Sequence, residues 1–295
     1  MFALKNTTEL ISGCQWQIEK IPLSHSTNIL SVDLEYWPGS SCRTEVNYLL
    51  DLFSQKETKA TFFVLASAIE KDTDLLRRID AEGHEIATHG WKHVPLYERT
   101  KEEFRQDIVT SINILSDIIG KPIMGFRAPL FSIVKNTLWA LDILSDAGIK
   151  YDSSIFPIAG DRYGMPDFPR STVRIQWETK SIIECPLSTL RGFNQNWPVA
   201  GGGYFRLLPH FLIKKAIRRV NLEGCPFIVY CHPYEFCLSR LRYPPFHKSL
   251  SKWKLKQREF KANLFRKSMR YKLTKILDEF TFSCFREILA DAIKP

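Results

Sequence analysis

The chain is 295 residues long, with 44% hydrophobic and 25% charged side chains, an ordinary globular composition that fits one large domain or two small ones around a sizeable core. No uncharged apolar run approaches the roughly 20 residues that a membrane span needs and the start, MFALKNTTELISGCQWQIEK, lacks a signal-peptide core, so the expected location is cytoplasmic. The 7 cysteines are odd in number and scattered without a C-x-x-C pair, a pattern that suggests neither a disulfide framework nor a thiolate zinc site, and the formal charge of +9 is concentrated in one segment.

In chain order, TNILSVDLEYW reads as a strand, with apolar Ile29, Leu30, Val32 and Leu34, that ends in acidic and aromatic residues before PGSS breaks it. A helix follows in RTEVNYLLDLFSQKE and a second strand in KATFFVLA. Ile69, Leu75, Leu76 and Ile79 of SAIEKDTDLLRRIDAEG suit one helix closed by Gly83. The short strand HEIATHG leads to two histidines, His89 and His93, and the amphipathic KEEFRQDIVTSINILSDIIG comes next. IMGFRAPLF, TLWALDILSDAGIKYDSS, SIIECPLS, FLIKKAIRRVNLEG and PFIVYCHPYEF continue the alternation. Repeated strand and helix units predict an α/β protein with parallel strands and outer helices, in a single barrel or an open sheet.

A soft boundary falls near residue 240, dividing 1–240 from a basic segment, 241–295. Between Arg240 and Lys275, 13 basic residues stand against one acidic residue, Glu259, a net +12 that leaves the rest of the chain slightly acidic. Trp253, Leu255, Phe260, Leu264, Phe265 and Tyr271 interleave with these cations. Such a segment suits anionic lipid, an acidic substrate or nucleic acid, or it is the solvated face of a terminal helix.

Residues able to do chemistry gather at the C-terminal ends of the predicted strands: Asp33 and Glu35, His89 and His93, Arg127, Asp152, and His232. In parallel α/β proteins that rim is where sites are built. A spacing of four puts His89 and His93 on one face of a helical turn, from which both imidazoles reach one cation, and Gly90 allows close backbone approach. Two surface histidines without a ligand are the alternative. Asp33 and Glu35 point to the same side of a strand by its period of two, so that one ligates while the other takes a proton, or both merely solvate a strand end. Two imidazoles and a carboxylate leave open positions on a divalent ion for water and a carbonyl oxygen. Asp152 in YDSS is either a support of the site or a turn residue engaging Ser153 and Ser154. The glycines of GGGYFRLLPH let the backbone approach a sugar, carboxylate or diphosphate, or form a tight turn before a helix near Pro209. They lack the order of a nucleotide loop.

Taken together and in this order, SVDLEYW, THGWKH, GFRAPLF, KYDSSIFP and VYCHPYEF resemble the motifs of the NodB-type polysaccharide deacetylases, metal-dependent carbohydrate esterases. DRYGMPDFPR and GGGYFRLLP are similar to the branch found in bacterial exopolysaccharide and O-antigen assembly loci, including those linked to exosortases. The likeness runs from about Ile29 to Phe236 and leaves out the basic segment. It implies a distorted (β/α) barrel, and the basic segment is read separately as a helical C-terminal extension on or beside it. It implies Glu35, His89 and His93 as ligands of one divalent ion, zinc first, with Co, Mn, Ni or Fe as alternatives. Asp33 is then the general base, Arg127 its partner, His232 the acid that protonates the departing amine, and Asp152 a further residue of the catalytic set. Trp37, Pro129, Phe131, Gly202, Gly203, Tyr204 and Arg206 are expected against the substrate. Where the family commonly has adjacent aspartates this chain has Asp33-Leu34-Glu35, which leaves the roles of the two carboxylates open to exchange.

The function so implied is metal-dependent removal of an N-acetyl group from an amino sugar of a bacterial cell-surface polysaccharide or its lipid-linked precursor. A polyprenyl-diphosphate-linked glycan is the expected partner, nucleic acid is not, and the basic segment would bring the barrel to the anionic inner face of the cytoplasmic membrane. One alternative is a deformylase of a lipid-linked formamido sugar, because a methyl group in an apolar pocket is worth only about 1–3 kcal/mol. The other is a catalytically silent glycan-binding barrel.

Overall fold

The computed structural model describes residues 9–11, 14–23, 26–36, 42–160, 163–242 and 252–293. Its strands are β1 (Glu9–Ile11), β2 (Cys14–Lys20), β3 (Asn28–Leu34), β4 (Thr61–Val64), β5 (Glu85–Thr88), β6 (Gly125–Phe126), β7 (Tyr151–Asp152), β8 (Val173–Trp177), β9 (Lys180–Glu184), β10 (Thr189–Gly192), β11 (Gln195–Pro198), β12 (Ile228–Cys231) and β13 (Phe282–Ser283). Eleven of them join one sheet in the order β1-β2-β8-β9-β7-β6-β5-β4-β3-β12, with β13 beside β3, while β10 and β11 form a separate hairpin. From β12 through β3, β4, β5, β6 and β7 to β9 every pairing is parallel, and β8, β2 and β1 are added antiparallel. The α/β class with parallel strands is therefore as expected. The path is open between β9 and β12, but chain that follows β9 crosses the gap. Gly201 bridges Tyr230 in parallel, and Ser188 Oγ accepts from Ile228 N at 2.8 Å.

The strands' period of two separates an inner from an outer face. On β3, Leu30, Val32 and Leu34 pack outward with Phe62, Val64 and Ile86 against the helices. Ile29 turns inward with Phe63, Ala87, Tyr151, Ile183 and Phe285. Asp33 follows Ile29 and Ser31 on that inner face. Registers place Asp33 opposite Phe63, Thr88 opposite Phe126, and Phe126 opposite Asp152, so the strand ends reach one rim.

The helices among the described residues are α1 (Arg43–Gln55), α2 (Ala66–Ile69), α3 (Thr73–Ala81), α4 (Lys101–Ile119), α5 (Ala140–Asp146), α6 (Gly202–Leu207), α7 (His210–Leu222), α8 (Lys252–Asn263), α9 (Met269–Glu279), α10 (Phe285–Ile288) and α11 (Ala290–Ile293). In α1 the buried Val46, Leu49, Leu50 and Phe53 recur at helical spacing and face the sheet. Helix α4 starts at a capping box, Glu103 N donating to Thr100 Oγ1 at 3.2 Å while Thr100 N donates to Glu103 Oε2 at 2.8 Å. The single helix expected over SAIEKDTDLLRRIDAEG is two, α2 and α3, because Asp72 leaves helical geometry at φ −138° and ψ 48°. Gly83, at φ +83°, follows α3 in the left-handed region that favours glycine.

The chain beyond residue 240 is of two kinds. Helix α8 keeps Trp253 and Phe260 exposed. From Met269 onward the segment enters the main core through Leu273, Ile276, Leu277 and Phe282. Strand β13 extends the sheet beside β3, and Phe285 stacks on Tyr151 with ring centroids 5.0 Å apart. Burying each such aliphatic or aromatic side chain contributes about 1.5–3 kcal/mol, so residues 269–289 share in stabilising the sheet that carries the site.

Candidate metal and catalytic site

The rim opens on a cavity of about 190 Å3, lined by Asp33, Glu35, His89, His93, His232 and Glu235 with the aromatic walls Phe131, Tyr163 and Tyr230. His89 and His93 do not sit on a helical turn as their spacing suggested; they flank a loop after β5. Gly90 has φ +83°, and a Cβ there would stand 2.9 Å from Asp107 Oδ1. Asp107 occupies that space to accept from Trp91 N at 2.8 Å and Lys92 N at 3.0 Å, which ties the loop to α4. The two imidazoles still converge, with centroids 5.4 Å apart.

His89 Nδ1 lies 2.7 Å from the Arg127 carbonyl oxygen. A carbonyl only accepts, so Nδ1 carries the proton and Nε2 is left as a lone-pair donor aimed at the cavity. Glu35 Oε2 is 3.9 Å from His89 Nε2 and 2.5 Å from His93 Nε2. The donor atoms of Glu35, His89 and His93 all lie within 4.8 Å of one another. Burial resists ionisation of Glu35, but the His93 hydrogen bond and the surrounding histidines hold its carboxyl down at about 2. Burial brings His89 to about 4, leaving it neutral at pH 7. A neutral imidazole with its tautomer fixed, a second imidazole and an ionised carboxylate are a donor set that fits a divalent ion.

Asp33 has a different partner. Arg127, fully buried, donates from Nη1 to Asp33 Oδ1 at 2.7 Å and to Ser31 Oγ at 2.8 Å. Its Nε donates to the Ser153 carbonyl and its Nη2 to Ser153 Oγ, both at 3.0 Å, and its guanidinium lies 4.1 Å from the Phe63 ring centroid. His232 completes the group: Nε2 is 3.9 Å from Asp33 Oδ2 and 3.6 Å from Glu35 Oε1, while Nδ1 is 3.4 Å from Glu235 Oε2. Burial disfavours the imidazolium, yet the Glu235 hydrogen bond and the charges of Glu35, Glu235 and Asp33 raise its pKa to about 9.

The other residues expected at the site are placed variously. Phe131, Gly202, Gly203 and Arg206 line the cavity. Tyr204 turns its ring to Phe156, centroids 6.4 Å apart. Pro129 is buried in a short turn ahead of Leu130 and Phe131, whose φ values of 56° and 52° are left-handed without glycine. Trp37 lies outside the described residues. Asp152 is buried outside the cavity lining, where it accepts from Ser154 N at 3.3 Å and from Ser154 Oγ. It neighbours buried Glu184, and burial raises the pKa of both carboxyls. The glycine run meets protein rather than open space: a Cβ on Gly201 would fall 1.9 Å from the Tyr230 carbonyl oxygen, and one on Gly202 2.9 Å from the Tyr230 hydroxyl. Arg206 also faces protein, with Nε 3.4 Å from Glu235 Oε1 and Nη1 donating to the Ala262 carbonyl at 2.7 Å. Sequence reasoning missed Glu235, Glu184, Tyr163 and Tyr230. The signal for Glu235 was its position three residues after His232.

Residues 24–151 match the family model described as polysaccharide deacetylase. That stretch of the chain is similar to the polysaccharide deacetylases. Residues 153–290 match a second model, described as a domain of unknown function (DUF3473). The peptidoglycan-N-acetylglucosamine deacetylase of Bacillus cereus is 28% identical over 143 residues, covering 44% of this chain and 49% of that protein. The chain thus matches about half the length of that curated relative, and less of the Helicobacter pylori peptidoglycan deacetylase, 36%, at 30% identity over 36% of this chain. Among solved structures, a putative polysaccharide deacetylase from Mycobacterium smegmatis superposes with a TM-score of 0.61 at 14% identity, covering 94% of this chain and 96% of its own. The fold is shared with that structure. It is also shared, at a TM-score of 0.51, 10% identity and 90% and 66% coverage, with a structure described as a CE4 family pseudoenzyme from Bacillus anthracis. Fold alone therefore does not separate an active polysaccharide deacetylase from a silent one; the side chains must. Asp33, Glu35, His89, His93 and Arg127 fall in the deacetylase match, whereas Tyr163, Arg206, His232 and Glu235 fall in the second match. One cavity draws on both halves.

Proposed function

We propose that the protein hydrolyses the N-acetyl amide of an amino sugar, with one divalent ion held by Glu35, His89 and His93. The observation that carries this reading is the meeting in one cavity of that ligand group, an arginine-bonded Asp33 and a carboxylate-bonded His232. When bound, the ion supplies an acidified water and a Lewis acid for the acyl oxygen. Arg127 engages Asp33 Oδ1, which fixes the carboxylate and leaves Oδ2, the oxygen nearer His232, to take the water's proton. His232, whose Nδ1 faces Glu235 Oε2, delivers a proton from Nε2 to the amide nitrogen. The water oxygen joins the acyl carbon, the C–N bond breaks, and acetate and a free amine depart. Asp33 as base and Glu35 as ligand is the division their partners support. Zinc suits the donor set, as do Co, Mn, Ni or Fe.

We place the substrate among N-acetylated glycans, free or carried on a polyprenyl diphosphate. Helix α8 supports a peripheral contact with anionic lipid at the inner membrane face. It exposes Trp253 and Phe260 among exposed Lys254, Lys256, Arg258 and Lys261, and each such cation near the surface contributes about 1 kcal/mol. Incubating metal-loaded protein with chitin oligomers and a lipid-diphosphate N-acetyl sugar should release acetate. Asp33→Asn should retain metal and lose turnover, and Glu35→Gln should lose metal. Release of formate alone, from formamido sugars, would make the protein a deformylase. No release from any N-acyl sugar by the metal-loaded protein would contradict the enzymatic reading.

A further inference from the structure

The turn that follows His232, residues 233–239, buries Pro233, Glu235 and Phe236 and must find donors for its main-chain carbonyls. They come from the basic C-terminal segment. Arg266, only 5% exposed, directs one guanidinium to the carbonyls of Cys237 and Ser239, with Tyr234 O at 3.5 Å and Asn263 Oδ1 at 3.0 Å. Arg270 donates from Nε to the Phe236 carbonyl at 3.0 Å and lies 3.8 Å from the Tyr48 ring centroid. Asn263 clips the end of the loop, accepting from Leu241 N and donating to Leu241 O, both at 2.9 Å. Arg206 joins the loop to α8, touching Glu235 on one side and the Ala262 carbonyl on the other.

Held in this way, the loop presents two side chains to His232. Glu235 Oε2 accepts from His232 N at 3.0 Å and approaches its Nδ1, and the Tyr234 ring stacks on the imidazole, centroids 4.9 Å apart and 22° between planes. The imidazole's orientation is thus set by the loop, and the loop by arginines about 30 residues later in the chain. We propose that residues 263–270 are a brace that positions His232, with Arg266 and Arg270 as positioning residues that touch neither metal ligands nor substrate. This role lies within residues 153–290, the stretch matched by the model of unknown function. It also accounts for arginine at these places. A lysine keeps the charge but cannot span the Cys237 and Ser239 carbonyls with one planar fork.

Its catalytic consequence rests on the reading of His232 as proton donor, so the test has two independent arms. Hydrogen exchange is followed on the metal-loaded parent and on Arg266→Lys and Arg270→Gln. The amides of 232–239 should exchange at least about tenfold faster in both variants, while β4 and β5 stay as protected as in the parent. Unchanged exchange in the loop, or a uniform rise across the sheet in both variants, would overturn the brace. In the second arm, turnover is compared on an N-acetyl amide and on an acetate ester with a good leaving group, which needs less protonation. A displacement near 1 Å costs on the order of a hundredfold in rate. The variants should therefore lose ten- to a hundredfold in kcat on the amide, less on the ester, with KM and bound metal unchanged. Equal losses on both substrates would overturn the link to His232. A parent inactive on both would overturn the enzymatic reading, while the exchange arm would still decide the brace.

Discussion

Arg127→Met is the most informative single substitution, because Arg127 is fully buried and its guanidinium makes four hydrogen bonds, one of them to a carboxylate that is itself 2% exposed. Methionine keeps much of the packing against Phe63 but leaves Asp33 without its cation. The nearest remaining positive group is His232, 3.9 Å away. The Ser31 and Ser153 hydroxyls each retain another partner, the carbonyls of Val229 and Cys185, whereas the Ser153 carbonyl loses the Arg127 Nε donor and adds to the loss. Breaking a buried pair by removing one partner costs about 3–5 kcal/mol, a large part of the roughly 5–15 kcal/mol of a typical domain. Urea unfolding of chelated protein, with the m-value checked for constancy, should show that drop. Arg127→Met combined with Asp33→Asn removes the orphaned charge and should recover about 2 kcal/mol. A single variant within about 1 kcal/mol of the parent, or a double variant whose losses simply add, would refute the argument.

Three further outcomes are expected. Gly90→Ala forces a left-handed residue against Asp107 and should destabilise the fold by 1 kcal/mol or more, loosening the His89–His93 loop so that metal affinity falls; unchanged unfolding and affinity would count against that packing. Burial holds His84 at about 4 against an ordinary 6.5, with Lys59 adding to the effect. The unfolded chain then binds the extra proton between those values, so stability should fall as pH drops from 6.5 toward 4, by at most about 3 kcal/mol. His84→Gln should flatten that slope, and an identical slope would assign it elsewhere. Charge reversal at Lys254, Lys256 and Lys261 should release the protein from phosphatidylglycerol vesicles in moderate salt while leaving hydrolysis of a small soluble substrate intact; vesicle binding indifferent to salt and to these changes would remove the membrane role.

Much of the site was legible because its residues stand at strand ends that the apolar alternation of NILSV and TFFV announces. The His89–His93 spacing pointed to a helix, and only the Asp107 contacts across to α4 show why a glycine-centred loop serves instead. Glu235 was signalled only by its place three residues after His232, whereas Arg266 was invisible because its role depends on contacts with main-chain carbonyls, which no side-chain pattern records. Charge set residues 241–295 apart as an extension on or beside the barrel, and within it Leu273, Ile276 and Leu277 at helical spacing form a packed face. The antiparallel β8, β2 and β1, and the β10–β11 hairpin turning through left-handed Phe193 and Asn194, carry weaker signals. Phenylalanine at positive φ is not the usual turn residue.

The central claim, one ion held by Glu35, His89 and His93 in a working amidase, is tested most directly by counting metal and acetate on the same samples. Elemental analysis of purified protein should find about one divalent ion per chain, with acetate released from an N-acetyl sugar in proportion to metal across a chelation and reloading series. His89→Ala and His93→Ala should lose both together while unfolding cooperatively. Acetate release that persists in fully chelated protein, or undiminished metal in either histidine variant, would contradict the account.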